Sequence, residues 1–169
     1  MDVMEAITGR RSIRKFKKDD IEPEKLEKVL EAGRLAPSAG NGQTWKFIVV
    51  RDETVRKSLQ ELTITKHCLE NAPVIIVACG LNRDVMTCGH RVDTVDVSIA
   101  MSYMLLEAHE QGLGTCWMAC YDENQVKELL GIPESASVVM ITPLGYADES
   151  PEQRPRKTFE QVICYDRFE

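Results

Sequence analysis

Residues 92–111, VDTVDVSIAMSYMLLEAHEQ, constrain this chain more than any other stretch. The run spans about five helical turns and carries Val95, Ile99, Met101, Met104, Leu105 and Leu106. Those side chains spread too widely around a helix axis to form one face. A helix apolar nearly all round sits at the centre of a core or is shared with another subunit.

The flanking segments supply layers for it. Asp2 and Glu5 make a capping-box pattern for a short helix that ends near Gly9. From Pro23, PEKLEKVLEAGRLA places Leu26, Val29, Leu30, Gly33 and Leu35 at helical spacing, predicting a second helix that ends at Pro37. Asp52 and Asp122 stand where they can cap helices in ETVRKSLQEL and ENQVKELLGI. Strands are predicted at 46–50 (KFIVV), 73–80 (PVIIVACG), 114–120 (GTCWMAC) and 137–146 (SVVMITPLGY), and TFEQVICY (158–165) has the composition of a closing strand. PVIIVACG is apolar throughout, so it is expected to be covered on both faces. Helices and strands alternate without repeat or linker, which predicts a single domain over residues 1–169 with α+β or α/β character.

The charge is uneven. The formal net charge is −6, yet residues 1–18 hold six Lys/Arg against two acids, which leaves −10 for the remainder. Arg10, Arg11, Arg14 and Lys15 crowd into GRRSIRKF (9–16) and repel one another unless water, counterions or an anionic ligand relieves them. A second cluster, Arg154, Arg156 and Lys157, lies among prolines near the other end of the chain. Guanidinium donors match phosphate oxygens, so two such clusters with Ser12 can converge on one phosphate monoester. Taken singly, each cluster reads more readily as solvated surface than as a site. The loop PSAGNGQTW (37–45) adds Ser38, Asn41 and Gln43, which donate and accept beside small residues that let a flat ligand approach the backbone.

Other chemistries find less support. A pI of about 5.2 argues against nucleic-acid binding, which needs a broad basic face. There is no G-x-S-x-G, no phosphate-binding lysine loop, and no G-x-G-x-x-G after a predicted strand. His67, His90 and His109 single out no Cys–His nucleophile pair. Six cysteines without a C-x-x-C predict reduced thiols and no metal site. No 18-residue apolar run predicts a membrane span, and acids precede bases at the N-terminus, the reverse of a secretion signal. A cytoplasmic protein is expected.

Four segments, in order, resemble the flavin-dependent nitroreductase family: RRSIRKF, APSAGNGQTW (36–45), GLGTCWMA after the long helix, and PLGY followed by RPRK. Asp96 matches the family's aspartate near the start of that helix. The resemblance implies an α+β fold, a central mixed β-sheet flanked by helices, forming an intertwined homodimer with FMN in two interface clefts. By similarity, Arg10, Arg11, Ser12 and Arg14 hold the phosphate and ribityl end, joined by Arg154 and Arg156 with Lys157 nearby. Pro37, Ser38, Asn41 and Gln43 correspond to the loop that lines the flavin from the partner subunit. Met118, Ala119 and Cys120 correspond to the stretch whose backbone passes the isoalloxazine N5, and His67 aligns with a cationic residue at the pyrimidine edge.

The implied reaction is ping-pong: NADH or NADPH reduces FMN, and a small-molecule acceptor such as a nitro compound or quinone is then reduced. Since the cofactor carries the hydride, the protein supplies binding and orientation and needs no catalytic triad or metal. A flavin-binding regulatory module, or specialised chemistry such as dehalogenation, is the alternative on the same fold. Three departures from the family pattern stand out, the first being His67 in place of the family's cationic residue, with Lys66 as the neighbouring alternative. Thr44 replaces a frequent proline, and residues 81–91 take the place of a longer helical insert over the substrate pocket.

Overall fold

The computed structural model describes residues 2–168. Five helices and four strands follow one another as α1 (Val3–Gly9), α2 (Pro23–Arg34), β1 (Trp45–Val50), α3 (Glu53–Glu61), β2 (Val74–Gly80), α4 (Val92–Glu110), β3 (Gly114–Thr115), α5 (Glu123–Leu130) and β4 (Ser137–Gly145). Local chemistry starts three of the helices. Asp2 and Glu5 accept each other's backbone N–H at 2.8 Å, Asp52 accepts from Val55 N–H at 2.9 Å, and Asp122 from Gln125 N–H at 3.1 Å. Helix α2 stops at Arg34, short of Pro37, with Leu35 N–H closing onto Glu31.

The strands order as β1-β2-β4-β3, and every ladder is antiparallel. The mixed sheet expected from sequence is corrected to this extent: its parallel component is one bridge between Ser12 and Thr115. Two expected strands also change. GTCWMAC stays in the sheet only over Gly114–Thr115, and Met118 rejoins it by a single bridge to Ile141. TFEQVICY forms turns instead of a strand, with Ile163 N–H donating to Phe159 C=O at 2.9 Å.

Strand β2 is buried along its whole length, and its alternate residues serve two cores. Val74, Ile76 and Ala78 join Met140 and Leu144 of β4 beneath α2 and α4, with Val97, Met101 and Met104. Ile75, Val77 and Cys79 face the other way, toward Leu59 of α3 and Val126 of α5. Helix α4 approaches α2 closely, because a Cβ on Gly33 would lie 2.0 Å from Met104 Cε.

Helix α4 buries Val97, Ala100, Met101, Met104, Leu105 and Ala108 in its own chain, and leaves Val95, Ile99 and Leu106 half-buried and Tyr103 exposed. Nearby Val3, Met4, Ile7 and Leu35 are exposed as well. No helix among the described residues is long and apolar enough to cross a membrane. All six cysteines are free, with Cys68, Cys79 and Cys116 buried.

Candidate functional site

The two basic clusters meet because the chain leaving β4 runs beside residues 14–17. Lys17 N–H donates to Tyr146 C=O at 2.9 Å, Phe16 bridges Ala147, and Asp148 N–H donates to Lys15 C=O at 2.9 Å. Beyond Asp148 the side chain of Glu149 takes over. Its Oε1 accepts from Arg14 N–H at 2.5 Å and from Lys15 N–H at 3.3 Å. Residues 151–156 then pass over the end of α1. Arg10, Arg11, Ser12, Arg14, Arg154 and Arg156 line one cavity of about 530 Å³.

These cations are not equivalent. Arg11 Nη1 donates to the carbonyls of Thr8 (2.8 Å), Gly9 (2.8 Å) and Arg10 (3.1 Å), so it caps the C-terminus of α1. Arg14 Nη1 reaches Ser12 C=O at 3.3 Å. Arg10, Arg154 and Arg156 form no ion pair or side-chain hydrogen bond among the described residues. Glu152 is the one acid in the lining, and Lys157 is exposed outside it. The cavity therefore carries unmet positive charge.

Its flank is built from two more predicted segments. Thr63 bridges Tyr121, Ile64 N–H donates to Cys120 C=O at 2.9 Å, and Asp122 N–H to Leu62 C=O at 3.3 Å. This pairing sets the 3-10 turn Lys66–Cys68 against the stretch that follows β3. His67 is exposed, its Nε2 3.4 Å from Cys68 Sγ. Burial pushes the Cys68 and Cys116 thiols up, and the positive charge of Arg14 pulls both part of the way back, so both lie within reach of the basic cluster. Met118 spends its N–H and C=O on Ile141, at 3.1 and 3.0 Å. The exposed Ala119 and Cys120 differ: their amides donate to no backbone carbonyl among the described residues.

The loop of Pro37, Ser38, Asn41 and Gln43 is elsewhere. Ser38 Oγ accepts from Gln43 N–H at 3.0 Å, and Ala39 N–H donates to the buried Asp96 carboxylate at 3.1 and 3.2 Å. Asn41 (φ 56°) and Gln43 (φ 50°) take left-handed backbone conformations, which L-residues other than Gly adopt at a cost. This held, polar loop feeds β1, which lies at the edge of the sheet opposite β3. Neighbouring strands are roughly 4.8 Å apart, so one chain presents the loop and the basic cavity on different sides.

The sequence model of the nitroreductase family matches residues 7–68 and 62–146, most of the chain. The chain belongs to the nitroreductase family. A relative from Methanothermobacter thermautotrophicus, whose name joins NADH dehydrogenase with NAD(P)H nitroreductase, is 37% identical over 158 residues, covering 91% of this chain and 82% of the relative. The solved structure of an FMN-dependent nitroreductase from Clostridium difficile R20291 superposes with a TM-score of 0.86 at 33% identity, covering 98% of this chain and 100% of that one. The NADPH-flavin oxidoreductase of Vibrio harveyi is 29% identical over 180 residues, covering 99% of this chain and 75% of its own.

Within this nitroreductase framework, sequence reasoning missed Glu149 and the capping role of Arg11. Glu149 sits in an undistinguished polar stretch, and its partner Arg14 is 135 residues away. No local pattern marks such a contact. Arg11 was legible in principle, as a cation just past a helix C-terminus.

Proposed function

We propose that the arginine-lined cavity holds the phosphate end of FMN, in a homodimer whose partner loop 37–43 completes each site. The protein is an NAD(P)H-dependent FMN oxidoreductase of the nitroreductase type. The observation that carries the site assignment is the convergence of Arg10, Arg14, Arg154 and Arg156 on one cavity without a carboxylate partner for any of them. A phosphate dianion supplies the missing charge, and fork-shaped donors suit its oxygens.

When bound, FMN accepts a hydride from NADH or NADPH and passes reducing equivalents to a nitro compound, quinone or related acceptor. The residues of this chain bind and orient. Arg10, Arg14, Arg154 and Arg156 anchor the phosphate, and Ser12 adds a hydroxyl. Ala119 and Cys120 offer free amide donors on the cavity's flank, and Met118 holds that stretch against β4. Arg11 keeps α1 closed over its own end. His67 stands on the same flank with its imidazole exposed, and Lys157 adds long-range positive charge at the rim. Pro37, Ser38, Asn41 and Gln43 supply polar contacts from the partner, since in their own chain the sheet lies between them and the cavity.

The dimer follows from the surface that a single chain leaves uncovered. Tyr103, Leu106 and Ala32 line apolar grooves along α2 and α4, and Phe159, Val162, Ile163 and Tyr165 of the tail are exposed. A second copy buries both. Purified protein is expected to be yellow, to elute as a dimer, and to bleach under NADH or NADPH without oxygen. A colourless protein that refuses added FMN would overturn the reading, and a yellow one that neither nicotinamide reduces would leave a flavin-binding module without turnover.

A further inference from the structure

Residues 10–14 and 151–156 both lack helix and strand, and their convergence decides whether the arginines can share one ligand. The ribbon joining the two segments ends at Asp148 N–H to Lys15 C=O. Past that point no backbone hydrogen bond joins the two segments among the described residues, and the Glu149 carboxylate links them at the cavity: it accepts from Arg14 N–H at 2.5 Å and from Lys15 N–H at 3.3 Å. Among the described residues the acid forms no ion pair with any guanidinium. It takes the amides of the basic segment and leaves the side chains of Arg10 and Arg14 to the cavity.

From this geometry we infer that Glu149 is a positioning residue, a side-chain clasp that fixes Arg10 and Arg14 against Arg154 and Arg156 and thereby sets selectivity for a phosphorylated flavin over its dephosphorylated form. The inference rests on the phosphate assignment made above. A negative charge near a phosphate dianion opposes binding, so the carboxylate acts here through its reach and its two accepted hydrogen bonds, not through its charge. Those two roles predict opposite outcomes for two conservative substitutions. Gln keeps the reach and an acceptor oxygen without the charge. Asp keeps the charge and draws the oxygen back by one methylene.

The test measures dissociation constants of FMN and of riboflavin by flavin fluorescence on full-length, flavin-stripped protein. Glu149→Gln is expected to hold FMN as tightly as the parent or more tightly. Glu149→Asp is expected to weaken FMN by about tenfold, the scale of one lost hydrogen bond, with riboflavin changed less than about twofold, so the ratio of FMN affinity to riboflavin affinity falls. A purely structural role lowers both flavins together and overturns the inference, as does a ratio unchanged in Glu149→Asp. A loss in Glu149→Gln equal to that in Glu149→Asp also overturns it. Arg156→Ala separates this from failure of the underlying reading: if that variant leaves the ratio untouched, the phosphate is not in this cavity, whereas a ratio that falls in Arg156→Ala and stays in Glu149→Asp removes only the clasp.

Discussion

Strand β2 and the C-terminal stretch from Thr158 to Phe168 are both rich in apolar side chains, and they end in opposite conditions. Along β2 each of Val74 to Cys79 is at most 2% exposed, because helices close both faces of the sheet. In the tail, Tyr165 is 77% and Phe168 99% exposed, and only short turns hold the backbone. The difference lies in available partners. β2 finds β1, β4 and four helices within its own chain, while the tail has passed the last strand and meets nothing of its own to pair with. One region stabilises the protomer, and the other leaves exposed the apolar surface that the proposed second copy would cover.

The contrast can be broken most severely in the core. Ile141→Ala, at a site with no exposure, is expected to destabilise the protomer by about 2–5 kcal/mol in urea unfolding. Arg156→Ala should move the other property: FMN affinity falls by about 1.5–3 kcal/mol, the scale of a lost charged hydrogen bond, with the flavin-free urea midpoint unchanged. Equal effects of both variants on protomer stability would erase the difference between the two regions.

Acid sharpens it further. Asp93 is fully buried and takes hydrogen bonds from Arg91 and Ser137. Burial pushes its carboxyl up, but the bonds from Arg91 and Ser137 outweigh this and leave it below the ordinary carboxylate value. A depressed folded pKa gives stability that is present above the unfolded carboxyl's pKa and is lost as pH falls through the folded one. Asp93→Asn should therefore flatten the acid limb of a stability–pH curve, which thermal melts between neutral and acidic pH will read. The smallest expected effect is in the tail: Phe168→Ser should change protomer stability by less than about 0.5 kcal/mol, as surface substitutions do. Its consequence belongs to dimerisation, measured by sedimentation.

Much of this was legible in sequence where causes are local. Asp2, Asp52 and Asp122 cap helices because an N-cap needs only a short acceptor and the next few amides. The double-sided burial of β2 followed from its unbroken apolar run. Composition misled where partners decide: GTCWMAC looks like a strand throughout, yet the ladder with β4 ends at Thr115, and TFEQVICY has strand residues without a neighbouring edge. The relative direction of the strands was likewise invisible, because an all-apolar strand reads the same in parallel and antiparallel ladders. In the candidate site, the arginine clusters announced themselves by repeated chemistry. Glu149 did not, and neither did the division of labour between Arg11 and Arg10, since both depend on which carbonyl or amide the fold brings near.

The placement of the basic cavity has a kinetic consequence. Apart from the end of α1, its walls are loop segments tied by a handful of bonds, whereas the ladders of β2 and β4 lie inside two cores. Segments with few buried contacts open locally at far lower free energy than a central sheet. A ligand can therefore enter and leave through brief opening of residues 10–15 and 149–156 while the sheet stays shut. Amide exchange should then slow on flavin binding in those segments and in the other proposed flavin contacts, residues 37–43 and 118–120, against a background in which β2 remains the last part of the chain to exchange.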